Sequence, residues 1–133
     1  MDITRNGAQA STPTAAANFV GRARMQPVFA VGSPVRVRGG KVTFEPGART
    51  NWHTHPKGQT IVITDGSGLV QRWGGPLEAV NPGDVVFFHP GEKHWHGAAP
   101  TVSMTHIAVV EHDERGVSAD WLEPVTDEQY AGK

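Results

Sequence analysis

The chain has 133 residues, 38% of them apolar, a net charge near −1 and no cysteine. Length and apolar content suit one domain around one core, the charge balance gives nucleic acid or an anionic membrane nothing to hold, and the missing thiols exclude disulfides, thiolate metal sites and a cysteine nucleophile. No apolar run approaches the roughly 20 residues that span a bilayer, and Met1 to Thr14 lacks the apolar centre of a secretory signal, so the expectation is a cytoplasmic protein.

Sixteen glycines and ten prolines, spread between short apolar runs, indicate many turns and short strands. Residues 1–18 are small and polar and read as an arm, either loosely ordered or lying along a partner subunit or the barrel edge. Residues 19–133 read as the folded domain. Pro27 to Val31 predicts an early strand, and alternation predicts more at Val35 to Arg38 and Lys41 to Phe44, where Val42 and Phe44 share a face. Glu45-Pro46-Gly47 is a turn, and Trp52 to His55 reads as a strand. Thr60 to Thr64 and Leu69 to Trp73 flank Asp65-Gly66-Ser67-Gly68, a hairpin signal. Leu77 to Val80, Val85 to Phe88, His94 to Ala98 and Val102 to Val110 complete the strands. Thr126 is placed to cap a short helix over Asp127 to Tyr130. Short strands at such spacing predict an all-β sandwich or barrel with a short C-terminal helix.

Six of the seven histidines lie between His53 and His106, and their spacing carries the chemistry. His53 and His55 are two apart on a strand and point the same way. A turn at Pro56-Lys57-Gly58 can bring Gln59 back beside them. His94 and His96 are again two apart. Met104, His106, Ala108 and Val110 share a largely apolar face, which turns His106 into the barrel. Burying several imidazoles without partners is costly, and a shared divalent cation removes that cost. His53, His55, Gln59 and His94 are therefore the expected metal ligands. His89 and His112 read as loop or surface residues, and Trp52, Trp73 and Trp95 as packing residues.

Gly47, His53, His55, Gln59 and Gly66 fall on the motif G-x5-H-x-H-x3-E-x6-G, with glutamine at the glutamate position. Gly83, Gly91 and His94 fall on G-x5-P-x-G-x2-H-x3-N, with His89 and Ala98 at the proline and asparagine positions. These are the two cupin motifs, and the chain is identified as a single-domain cupin, a jelly-roll β-barrel. From about Gly21 onward it resembles the bacterial manganese-dependent cupin hydroxynitrile lyases, notably at Thr43 to Thr50, His53 to Pro56, Pro90 to Ala98 and Val125 to Tyr130. The resemblance implies a metal held by His53, His55, Gln59 and His94, and two further pocket histidines, His96 and His106, for proton transfer. It also implies (R)-selective cleavage of cyanohydrins such as mandelonitrile, and a homo-oligomer, dimer or tetramer. Val42 and other inward aliphatic side chains would shape the aryl pocket. Manganese rests on the resemblance; sulfur-free imidazole and amide ligation equally permits iron, nickel, cobalt or zinc. The rival readings are a cupin dioxygenase or decarboxylase and a non-catalytic small-molecule-binding cupin. The surplus of inward histidines, His96 and His106, speaks against the last.

Overall fold

Turn chemistry cuts the chain into thirteen short strands and one helical turn, described over residues 1–133 by a computed structural model. The strands are β1 (Thr12–Pro13), β2 (Phe19–Val20), β3 (Ala23–Val31), β4 (Val37–Phe44), β5 (Arg49–Thr50), β6 (His53–Thr54), β7 (Gln59–Gly66), β8 (Gly68–Arg72), β9 (Glu78–Val80), β10 (Val85–Phe88), β11 (His94–Ala98), β12 (Met104–Glu111) and β13 (Asp120–Trp121); α1 spans Asp127–Tyr130. Gly66 closes the β7–β8 hairpin at φ 77°, and a Cβ there would lie 1.8 Å from the Ser103 carbonyl oxygen. Only glycine satisfies both demands.

Two antiparallel sheets face each other. The first runs β1-β3-β4-β12-β7-β10. The second centres on β11, which pairs β8 on one side and both β5 and β6 on the other; β9 extends β8, while β2 and β13 extend β5 and β6. Phe44, Ile61, Ile63, Phe88 and Met104 fill the space between the sheets near one end. Burying each such side chain stabilises the fold by about 1.5–3 kcal/mol.

The expected strand over Trp52 to His55 is divided, because the chain changes neighbour there. Thr50 and Arg49 pair with β2, whereas His53 and Thr54 pair with β13. Trp52 nevertheless points outward and His53 inward, as alternation requires. The expected strand over Val35 to Arg38 begins only at Val37: residues 33–35 are a turn, and Arg36 takes φ 54°. Within the arm, Thr12–Pro13 pairs with Arg24 and Met25 of β3, and Arg24 and Gln26 donate to the Ser11 and Gln9 carbonyls.

The outer face of the second sheet has its own small core of Trp52, Trp95 and Val125, with Tyr130 packed on it. The C-terminal segment is strapped there by Arg49, only 4% exposed, which donates to the Val125 carbonyl and to Asp127 and lies under the Tyr130 ring. Thr126 caps α1 in a capping box with Gln129, as its position in the sequence predicts.

Candidate metal centre

Strand alternation delivers the imidazoles to one place. On β11, Trp95 goes to the outer core while His94 and His96 enter the barrel. The register pairs His94 with His53 and Phe88 with Gln59. His55 follows two residues after His53, and Gly58, at φ 79°, completes the turn that returns Gln59 to the same side. Ring centroids of His53 lie 4.9 Å from His55 and 4.3 Å from His94, and His55 lies 5.4 Å from His94. All four side chains are buried. Phe88 stacks on His94 at 3.6 Å and Trp121 packs on His53 at 4.6 Å, which holds both rings in place.

Each of these three imidazoles has one nitrogen committed. Nδ1 of His53 donates to the Asn51 carbonyl at 2.9 Å, Nδ1 of His55 to the Ser118 carbonyl at 2.6 Å, and Nδ1 of His94 to the Glu92 carbonyl at 2.8 Å. A carbonyl only accepts, so the proton sits on Nδ1 and every Nε2 presents a lone pair. This is the arrangement that orients histidines around a metal. Nε2 of His55 is buried with no partner. Nε2 of His94 lies 3.4 Å from Gln59 Oε1, so two acceptors face each other with no proton between them. The amide of Gln59 also acts on His53 and His55. A divalent cation reconciles these lone pairs, and the residues present fit one.

The electrostatics agree. Burial pushes the pKa of His53 far down, helped by its neighbours His94 and His55. Burial lowers His55 and takes His94 down to about 3. At neutral pH these rings are uncharged and ready to donate. With three neutral imidazoles and a neutral amide, the donor set leaves the +2 charge of a cation undiminished.

His96 and His106 form a second pair. Nε2 of His106 lies 2.9 Å from Nδ1 of His96, and the outer nitrogens, His96 Nε2 and His106 Nδ1, are buried without partners. Burial pushes His106 down to about 4 and lowers His96 well below the ordinary imidazole range, the latter aided by His106 and His53. One ring nitrogen of His96 also comes within 4.8 Å of ligand atoms of His53 and His94, so the pair abuts the metal centre. Both rings open on a cavity of about 550 Å³, which Val42, Phe44 and Phe19 help to line.

His89 is exposed, and His112 half-buried with its Nε2 unpartnered; neither lines the cavity. Trp52 and Trp95 are packing residues of the outer core, while Trp73 is exposed beneath the Lys93 ammonium. Ser118 and Trp121, which hold His55 and His53, escape the reading of the sequence. They sit in the irregular segment after β12, where no periodicity marks a residue as inward.

The family model for the cupin domain matches residues 40–110, more than half of the chain. Jelly roll, buried donors and this match place the protein in one class: it belongs to the cupin family. Within that family it is 57% identical over 130 residues, 98% of each chain, to the (R)-mandelonitrile lyase of Granulicella tundricola. It is also similar to the crystal structure of a cupin-like protein from Thermotoga maritima, with 35% identity, a TM-score of 0.80, and coverage of 98% of this chain and 95% of that one. A cupin 2 conserved barrel domain protein from Rhodopseudomonas palustris shares the fold at 22% identity, with a TM-score of 0.65 and coverage of 92% and 81%. No helix is long and apolar enough to cross a membrane.

Proposed function

We propose that this chain is a metal-dependent hydroxynitrile lyase, a carbon–carbon lyase that cleaves aryl cyanohydrins such as (R)-mandelonitrile to aldehyde and hydrogen cyanide and forms them in reverse. The observation that carries the reading is the hydrogen-bonded His96–His106 pair, which lines one largely apolar cavity together with His53, His55 and Gln59 of the ligand set. The identity to a protein named (R)-mandelonitrile lyase supports it. His53, His55, Gln59 and His94 hold the cation, and manganese is the ion proposed. When bound, it supplies Lewis acidity toward the substrate oxygen.

The residues of the chain supply the rest. Val42 and the aromatic wall bind the aryl group and exclude water. His96 and His106 share a single proton across their 2.9 Å contact, so a proton taken up at one outer nitrogen is matched by release at the other. The pair takes the hydroxyl proton as the C–C bond breaks. The bonding electrons leave with cyanide, and the proton is returned to it. Depressed pKa values keep both rings neutral at pH 7, so one outer nitrogen of the pair carries a lone pair that can accept. The test is mandelonitrile cleavage by the metal-loaded protein and by His106→Ala. Loss of at least about 100-fold in kcat with metal content unchanged is expected; retained turnover refutes the scheme.

The proposal extends to assembly and location. Val85 and Phe87 on the outer side of β10 are 61% and 50% exposed, an apolar edge suited to a second copy of the chain. A homo-oligomer, dimer or tetramer, by sedimentation supports this reading; a monomer contradicts it. The cysteine-free composition suits a reducing cytoplasm, and export of the intact chain would contradict that placement.

A further inference from the structure

The inward side chains of β4 and β12 stack in four layers from the closed end of the barrel to its mouth. Phe44 pairs with Met104, Val42 with His106, Gly40 with Ala108, and Arg38 with Val110. Phe44, Met104 and His106 are fully buried. The third layer holds only glycine and alanine, both lining the cavity, with the Met25 thioether of β3 lying 3.5 Å from where a Cβ on Gly40 would sit. The fourth layer places an arginine at the rim. Among the residues lining the cavity Arg38 is the one permanently charged side chain, and no carboxylate lines it.

Arg38 is not spent elsewhere. None of the ion pairs in the chain includes it, although Arg36, Arg49 and Arg115 each have a carboxylate partner. Its guanidinium donates to the hydroxyl of Ser118, the residue whose carbonyl holds His55. A guanidinium has five N–H donors, so most remain available in a fork that matches a carboxylate.

The spacing sets the size of the ligand. Arg38 lies four positions before Val42, about 13 Å along the strand at roughly 3.3 Å per residue. An arginine side chain folded inward covers about 6 Å of that, at about 1.5 Å per bond. The remaining span of roughly 7 Å fits one aryl ring between the reacting carbon and an anionic group. We propose that Arg38 determines specificity at this site, and that the pocket takes aryl substrates carrying a carboxylate at the end remote from the hydroxyl-bearing carbon. This inference rests on the lyase reading for the word substrate, but not for the anion subsite itself.

The test uses the metal-loaded full chain, wild type, Arg38→Gln and Arg38→Lys, and two probes that cannot be cleaved, 4-(hydroxymethyl)benzoate and its neutral amide counterpart, 4-(hydroxymethyl)benzamide. Calorimetric Kd values give the ratio of amide to carboxylate binding. A preference of about tenfold for the carboxylate is expected in wild type, from charge-assisted hydrogen bonds. It should fall to near unity in Arg38→Gln and be partly kept in Arg38→Lys. Equal binding of the two probes by wild type, or an undiminished preference in Arg38→Gln, overturns the proposal. The cyanohydrins of the corresponding 4-substituted benzaldehydes are assayed in parallel. If wild type cleaves neither while the Arg38-dependent preference persists, the lyase reading falls and the anion subsite stands.

Discussion

Gln59 is where the charge of the centre is decided, and Gln59→Glu changes that charge with little change of shape. The side chain is buried, with Oε1 3.4 Å from His94 Nε2. The variant adds one negative charge among three neutral imidazoles. As the hydroxyl proton leaves, negative charge develops on the substrate oxygen inside the same cavity. Two unit charges about 4 Å apart repel by roughly 4 kcal/mol at an effective dielectric of 20. That is about 3 pKa units against ionisation of the hydroxyl, and an upper bound because the cation lies between the two charges. The variant should therefore hold divalent metal at least as tightly as wild type, resist a higher chelator concentration, and lose about 10- to 1,000-fold in kcat/KM for mandelonitrile. Metal content, chelator midpoint and initial rates are measured on one preparation. Full metal occupancy together with wild-type or faster turnover would refute the argument that a neutral amide keeps the centre electrophilic.

In the metal-free protein, the buried histidines link stability to acid. Their folded pKa values lie below 6.5, with His94 at about 3 and His106 at about 4. The unfolded chain therefore binds more protons below 6.5, and stability is complete above that pH and falls as pH drops through the folded values. A urea midpoint at pH 5 equal to that at pH 7 contradicts this. Arg49→Met removes the strap to Val125 and Asp127 and should cost about 3 kcal/mol, or about 10 °C in Tm for a chain of this length; a change under about 2 °C argues against the strap. Gly97→Ala places a Cβ 2.5 Å from the Ala48 carbonyl oxygen and 2.7 Å from Arg49 Cα. Backbone atoms on the facing strand must move, so the variant should lose about 1–3 kcal/mol in denaturant unfolding, and a neutral result would refute the close approach.

Much of the barrel was legible because a two-residue period leaves a plain trace. His53 with His55, His94 with His96, and His106 among Met104, Ala108 and Val110 were each placed inward by alternation alone, and the structure places all five in one buried cluster. The capping box at Thr126 was legible for a similarly local reason. Less local features were hidden. The division between Thr50 and His53 follows from a change of neighbouring strand, which no single strand records. Arg38 looked like the polar half of an alternating strand; its inward register became clear only from its pairing with Val110. Ser118 and Trp121 reach the histidines from an irregular segment, and only the folded chain brings positions 63 residues apart into a 2.6 Å hydrogen bond.

In the proposed lyase, bond cleavage depends on a divalent cation gathered by three imidazoles and one amide. Metal analysis of purified wild type and His53→Ala, followed by mandelonitrile cleavage before chelation, after chelation and after manganese is restored, addresses it most directly. Close to one ion per wild-type chain is expected, none in the variant, and turnover that disappears and returns with the ion. Undiminished turnover by the chelated protein would contradict that dependence.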